Sequence, residues 1–281
     1  MKVIIYIFLL VTPALAWADT FIDMQVDVVS NDNVSIGNHL PDRVPDNALV
    51  LSTRIGFPMP LGDGMFTPTV SVEHSEYQTY PLFNHTWMKA GVSFKDKFGV
   101  GDVPWYTLGA VVGYKYSADD LRDATYASVK AGLGKHWGDN LTLNFDYTYA
   151  IENAAHDVFD SKRHTLSLSG DYLLSDDWML LFDYTYVQGA VAPNMYPNSH
   201  IVADANNVFV TDPVFGSGRS AYKLEGERLD KVGLGVNYYV DEQSAVEFNY
   251  AYWQGSRLAG FKSIWSNYYE TIYTLSYIVS Y

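Results

Sequence analysis

The sequence predicts an all-β protein, a transmembrane antiparallel up-and-down β-barrel of about twelve strands, and three features carry that prediction. Apolar and polar residues alternate over stretches of about ten positions, the length at which a tilted strand crosses a bilayer. Short turns and long connections alternate between these stretches. Aromatic residues make up 16% of the 281 positions (23 Tyr, 14 Phe, 7 Trp), yet there is no cysteine, so disulfides do not hold the chain together.

In chain order, Lys2, the apolar run from Val3 to Val11 and small residues at A-x-A spacing make 1–18 a secretory signal peptide, cleaved after Ala16 or Ala18. Residues 19–281 then form one barrel domain. The apolar run is too short for a helix to span a membrane, which takes about 20 residues. The expected strands are 21–30, 48–57, 65–75, 85–95, 105–117 and 124–135, followed by 140–151, 163–174, 177–188, 229–240, 244–253 and 269–281. In 140–151, for example, Leu141, Leu143, Phe145, Tyr147 and Tyr149 alternate with Thr142, Asn144, Asp146 and Thr148. One face meets lipid and the other a lumen.

Between these strands, Trp137-Gly138-Asp139, Ser175-Asp176-Asp177 and Asp241-Glu242-Gln243 read as tight turns, and 30–47, 152–162, 191–227 and 254–267 as long loops. An even strand count puts both termini on the short-turn side, the periplasm in an outer membrane. Trp105, Trp137, Trp178, Tyr186, Tyr252 and Trp253 stand near strand ends, where an interfacial girdle belongs.

The formal charge of -14 excludes nucleic acid as a partner, since phosphate binding needs a basic face. Parity places Asp23, Asp27, Lys89, Lys115, Lys130, Asp146, Asp171, Asp183, Lys231, Glu247 and Glu270 on the inner face. The lysines on 85–135 and the carboxylates from 140 round to 30 suggest opposed basic and acidic walls that select polar solutes; the alternative is that these charges pair and brace the interior. Gly109, Gly113, Gly132, Gly134, Gly233 and Gly235 also face inward, leaving space or making room for a neighbouring side chain.

Enzyme chemistry has little support. His164 has the opposite parity to Ser167 and Ser169, and no HExxH, CxxC, P-loop or GxSxG pattern occurs, so no cofactor or metal is expected. A rim hydrolase would need His74, Glu73, His156 and Asp157 to converge.

The last strand ends Tyr273-Thr274-Leu275-Ser276-Tyr277-Ile278-Val279-Ser280-Tyr281. With Tyr273, Leu275, Tyr277, Val279 and Tyr281 on one face, it resembles the C-terminal signature of bacterial outer-membrane proteins. From about 183 to 281 the chain resembles uncharacterised proteobacterial outer-membrane barrels. That resemblance implies a Gram-negative outer membrane with its lipid and lipopolysaccharide, and the barrel-assembly machinery as a partner during biogenesis. It implies no particular activity. The expected function is a passive or accessory channel for small polar solutes, not an enzyme; the alternative is a closed barrel that displays the 191–227 loop.

Overall fold

The computed structural model describes residues 20–38, 41–197, 202, 205, 208–257 and 268–281, so the expected signal peptide lies outside the described residues. The chain forms twelve barrel strands: β1 (Phe21–Asn31), β2 (Asp46–Gly56), β3 (Gly64–Tyr77), β4 (His85–Lys97), β5 (Trp105–Ser117) and β6 (Ala124–Trp137), then β7 (Leu141–Ala154), β8 (Ser161–Leu173), β9 (Trp178–Val191), β10 (Leu224–Tyr239), β11 (Ser244–Arg257) and β12 (Tyr268–Ser280). Each pairs antiparallel with the next, and β12 pairs back onto β1, from Asp23 opposite Ser280 to Asn31 opposite Ile272. The sheet therefore has no free edge, as a strand structure in lipid requires.

Every expected strand is present, and most run further toward the long loops than the alternation suggested. β7 extends through Glu152 and Asn153 to Ala154, and β10 begins at Leu224 rather than 229. The added residues lie beyond the apolar band, where neither face meets lipid and the pattern loses its period.

Between the strands, Leu108, Val112, Leu133, Leu166, Val232 and Leu234 are exposed on the outer wall, where lipid covers them. On β5, Tyr106 and Tyr116 bracket this band ten residues apart. At about 3.4 Å per residue and a tilt near 40°, that spacing is about 25 Å, the height of a barrel's lipid-facing band. Trp178 packs on Tyr238 at 4.7 Å on the short-turn side and Trp137 is exposed there, as an outward girdle predicts. Trp105 and Trp253 do not belong to it. Odd positions on β5 and β11 face inward; Trp105 is buried against Gly134 and Trp253 lines a cavity.

The short-turn end is held by local chemistry. Gly62 and Gly138 take positive φ (63° and 66°), as tight hairpins need. Asp241 Oδ1 accepts from the backbone N–H groups of Gln243 (2.9 Å) and Ser244 (2.7 Å), which hold its carboxyl below the ordinary aspartate range.

At the other end the loops pack into a cap. Loops 78–84, 118–123 and 155–160 share one device, a single 3-10 turn followed by an amide or carboxylate that ties back to the strand below. Asn84 accepts from Tyr77 N (2.7 Å), Asp123 from Ser117 N (2.6 Å) and Asp160 from Ala154 N (2.6 Å). The third residue of each turn, Phe83, Arg122 or Phe159, points toward the long loop 192–223, which carries a small sheet of Asn194–Met195, Phe209–Thr211 and Ser220–Tyr222. Most of the fully buried side chains among the described residues lie here or at the adjoining strand ends, among them Tyr222, Met195, Leu224, Val158 and Asp212.

Candidate functional site

The lumen and its cap form the candidate site. Loop 192–223 touches four of the loops that ring the mouth. Asn194 N donates to Ser35 O (2.8 Å), and Arg219 donates to the carbonyls of Pro41 (2.9 Å) and Asp42 (3.1 Å). Phe215 packs on Phe83 at 5.1 Å and on Tyr80 at 5.2 Å. Asp212 pairs with Arg122, and Ala221 packs with Val158 and Phe159. A segment in contact with so much of the rim lies across the mouth.

The knot of this cap is Arg122. Its guanidinium lies 4.1 Å from the Phe159 ring centroid and 5.1 Å from that of Phe83, contacts Asp119 at 3.3 Å and pairs with the fully buried Asp212 carboxylate. Asp212 also caps its own turn by accepting from Val214 N (3.1 Å). Burial raises the Asp119 carboxyl above the ordinary aspartate range, against the Leu121 N–H and Arg122, which pull it down.

Below the cap, six of the eleven charges that parity assigned to the inner wall are held in ion pairs. Lys115 pairs with Glu152 at 2.6 Å, Lys130 with Asp146 at 3.1 Å, Lys231 with Asp183 at 3.1 Å and Arg54 with Asp23 at 2.6 Å. Arg163 also reaches Glu152, at 3.1 Å. Each partner lies on a strand one or two places away, so the register neutralises these charges locally. Lys89 makes no ion pair among the described residues and lies 4.9 Å from the Trp87 ring centroid. Asp27, Asp171, Glu247 and Glu270 likewise lack a cation among the described residues; Gln25 donates to Asp27 (2.7 Å), Asn249 to Glu247 and Asn31 to Glu270 (2.5 Å).

Inward glycine does not mean empty space. A Cβ on Gly134 would meet Trp105, on Gly132 Asp146, on Gly233 Asp183 and on Gly235 Asn249, each at 2.1–2.2 Å, and on Gly113 it would meet the Lys89 stem at 2.9 Å. Only Gly109, of the six, leaves ordinary room. Glycine there lets a bulky or charged neighbour lie flat on the wall.

Cavities nevertheless remain inside the barrel. One, of 480 Å³, is lined by Asp23, Arg54, Ser71, Glu73, Trp87 and Lys89 among others. The second, of 540 Å³, is lined by Asp171, Asp183, Lys231, Glu247, Asn249 and Trp253 among others. Gln25 borders both. Of their lining, Arg54, Glu73, Trp87, Trp253 and Ser276 had not been singled out for the lumen, although parity alone puts each on the inner face. The Arg122–Asp212 pair has no signal in the sequence, because it joins two loops 90 residues apart.

Among the described residues, the histidines and carboxylates that a rim hydrolase would need do not converge. His164 is on the outer wall, hydrogen-bonded to Tyr147 Oη (2.8 Å) and tilted against the Tyr149 ring at 4.8 Å, with Ser167 and Ser169 facing inward. His74 meets Thr86 Oγ1 (2.9 Å) on the outer face while Glu73 lines the lumen, and His156 Nδ1 accepts from Val158 N (3.3 Å) as a turn cap. Tyr273, Leu275 and Tyr277 are exposed on the outer face of β12, and Tyr281 exchanges backbone hydrogen bonds with Ile22, 2.9 Å in each direction.

No protein-family model matches the chain, and no curated protein does. Among solved structures it is similar to an outer-membrane channel from Pseudomonas putida F1 at 10% identity, over 93% of this chain and 95% of that one, with a TM-score of 0.60. It is also similar to the KdgM porin (10% identity, 92% and 99% covered, TM-score 0.48) and to the outer membrane channel DcaP of Acinetobacter baumannii (8%, 94% and 96%, 0.46). At these identities the likeness is one of fold: this chain is a closed antiparallel barrel of the outer-membrane type.

Proposed function

We propose that the protein is a passive or accessory outer-membrane channel for small polar solutes, with a preference for cations and a lumen gated by the loop cap. The observation that carries this reading is space inside the barrel, cavities of 480 and 540 Å³ that Gln25 borders together, the first lined mainly by polar side chains and the second by a mixture of charged, polar and apolar ones. A barrel built only as a plug would fill that space with side chains, as barrels of about eight strands do. Among the described residues, the inner carboxylates that hold no ion pair, Asp27, Glu73, Asp171, Glu247 and Glu270, outnumber the inner lysines that hold none, Lys89, Lys95 and Lys97, which favours cations. In this reading the short turns and both termini face the periplasm, and the cap faces outward amid lipopolysaccharide. The barrel-assembly machinery reads Tyr273, Leu275, Tyr277, Val279 and Tyr281. Refolded protein in a planar bilayer under a potassium chloride gradient tests the selectivity: a cation-selective reversal potential is expected, and an anion-selective one contradicts it.

A second reading, a closed barrel that displays its cap to a surface partner, draws on the three buried clusters that make the loops a packed unit rather than a fringe. Deleting the cap would then abolish binding to cells while leaving conductance absent in both forms.

A further inference from the structure

We propose that Asp27, Ser276 and Glu247 form a seat for the ammonium group of an organic cation inside the lumen, an inference that rests on the channel reading above. The three residues stand side by side on β1, β12 and β11: the register puts Asp27 opposite Ser276 and Ser276 opposite Glu247, all on the inner face. At about 4.8 Å between strands, the two carboxylates arise about 10 Å apart with the hydroxyl between them.

Elsewhere on the wall Asp23, Asp146, Glu152 and Asp183 each hold a lysine or arginine within 2.6–3.1 Å. Asp27 and Glu247 hold none among the described residues; each takes one neutral amide donor from the residue two positions along its own strand, Gln25 or Asn249. Ser276 is 2% exposed, lines the 540 Å³ cavity, and its Oγ has no hydrogen-bond partner among the described residues. A buried hydroxyl left unpaired between two carboxylates is a polar group waiting for a partner.

That partner is an ammonium rather than a divalent metal. Two carboxylates and one hydroxyl fall short of the six or so oxygen ligands that calcium or magnesium takes, and no cluster of three metal-binding side chains occurs among the described residues. An ammonium has three N–H donors, and the seat offers three acceptors. The 480 Å³ cavity has no such excess, because Arg54 and Lys89 balance Asp23 and Glu73 in its lining.

Size-matched probes test this on refolded, detergent-solubilised protein by titration calorimetry: ethanolammonium, neutral ethylene glycol and anionic glycolate. Ethanolammonium should bind at least tenfold more tightly than either of the others, a comparison that needs no variant. The D27N/E247Q protein should lose at least tenfold and Ser276→Ala several-fold. Equal binding of the three probes by the native barrel, or unchanged ethanolammonium binding in a folded D27N/E247Q barrel, overturns the seat. Conductance on the same preparation separates the two proposals. A barrel that binds ethanolammonium but passes no current supports the seat and overturns the channel; one that conducts without preferring any probe overturns the seat alone.

Discussion

The guanidinium of Arg122 meets the buried carboxylate of Asp212, 90 residues further along the chain, between the rings of Phe83 and Phe159. One side chain thus joins four loops into a lid over the barrel. Removing one partner of a buried ion pair strands the other charge, at about 3–5 kcal/mol. Asp212→Ala should therefore loosen loop 192–223, seen as cleavage there by a protease added to folded protein under conditions that leave the native loop intact. The double variant R122M/D212L, which removes both charges of the buried pair and leaves only the partly exposed Asp119 without its cation, should be cleaved less than either single truncation.

Asp119 gives the cap a pH dependence. Burial raises its folded-state pKa above the unfolded value, so the folded cap binds that proton more tightly and loses stability as pH rises from the ordinary aspartate range through the raised value. Asp119→Asn keeps an acceptor for the Leu121 N–H and abolishes this loss. Protease protection of the loops should improve in the variant at neutral pH and match the native protein at a pH where aspartate is protonated.

The inward glycines differ sharply in what they tolerate. Gly134→Ala drives a methyl into the rigid Trp105 indole, whereas Gly109→Ala meets only ordinary contacts. Denaturant titration of refolded barrels should show the first destabilised by about 1–3 kcal/mol and the second within about 0.5 kcal/mol of native.

The mutual hydrogen bonds of Ile22 and Tyr281 close the barrel at its short-turn end. Deleting Tyr281 removes two backbone bonds at the seam and the terminal aromatic of the proposed assembly signal. Cells should accumulate less membrane-inserted, heat-modifiable barrel, while the purified variant refolded in detergent should keep its strand content by circular dichroism.

Much of this was legible in the sequence, and the physical reason is the period of two. Lipid on one side and water on the other force alternation, so Leu141 to Tyr149 announce a strand, and parity assigns Asp146 inward without knowledge of its partner. Which cation neutralises Asp146 is a matter of register, and Lys130 reaches it across the β6–β7 pair. Parity says nothing of that, so the face of each charge was legible and its partner was not. The cap was hidden for a different reason. Met195, Tyr222 and Phe215 are buried by irregular loops that have no repeat, and burial without periodicity looks like any loop.

The central claim is a solute path that the cap controls, and single-channel recording tests it most directly. Val191 and Leu224 already face each other in the β9–β10 ladder, so a short glycine-containing turn can replace 192–223 without disturbing the wall. Native protein should show small or infrequent cation-selective steps, and the shortened variant larger or more frequent ones. A folded, inserted barrel that passes no current with this loop removed would contradict the account.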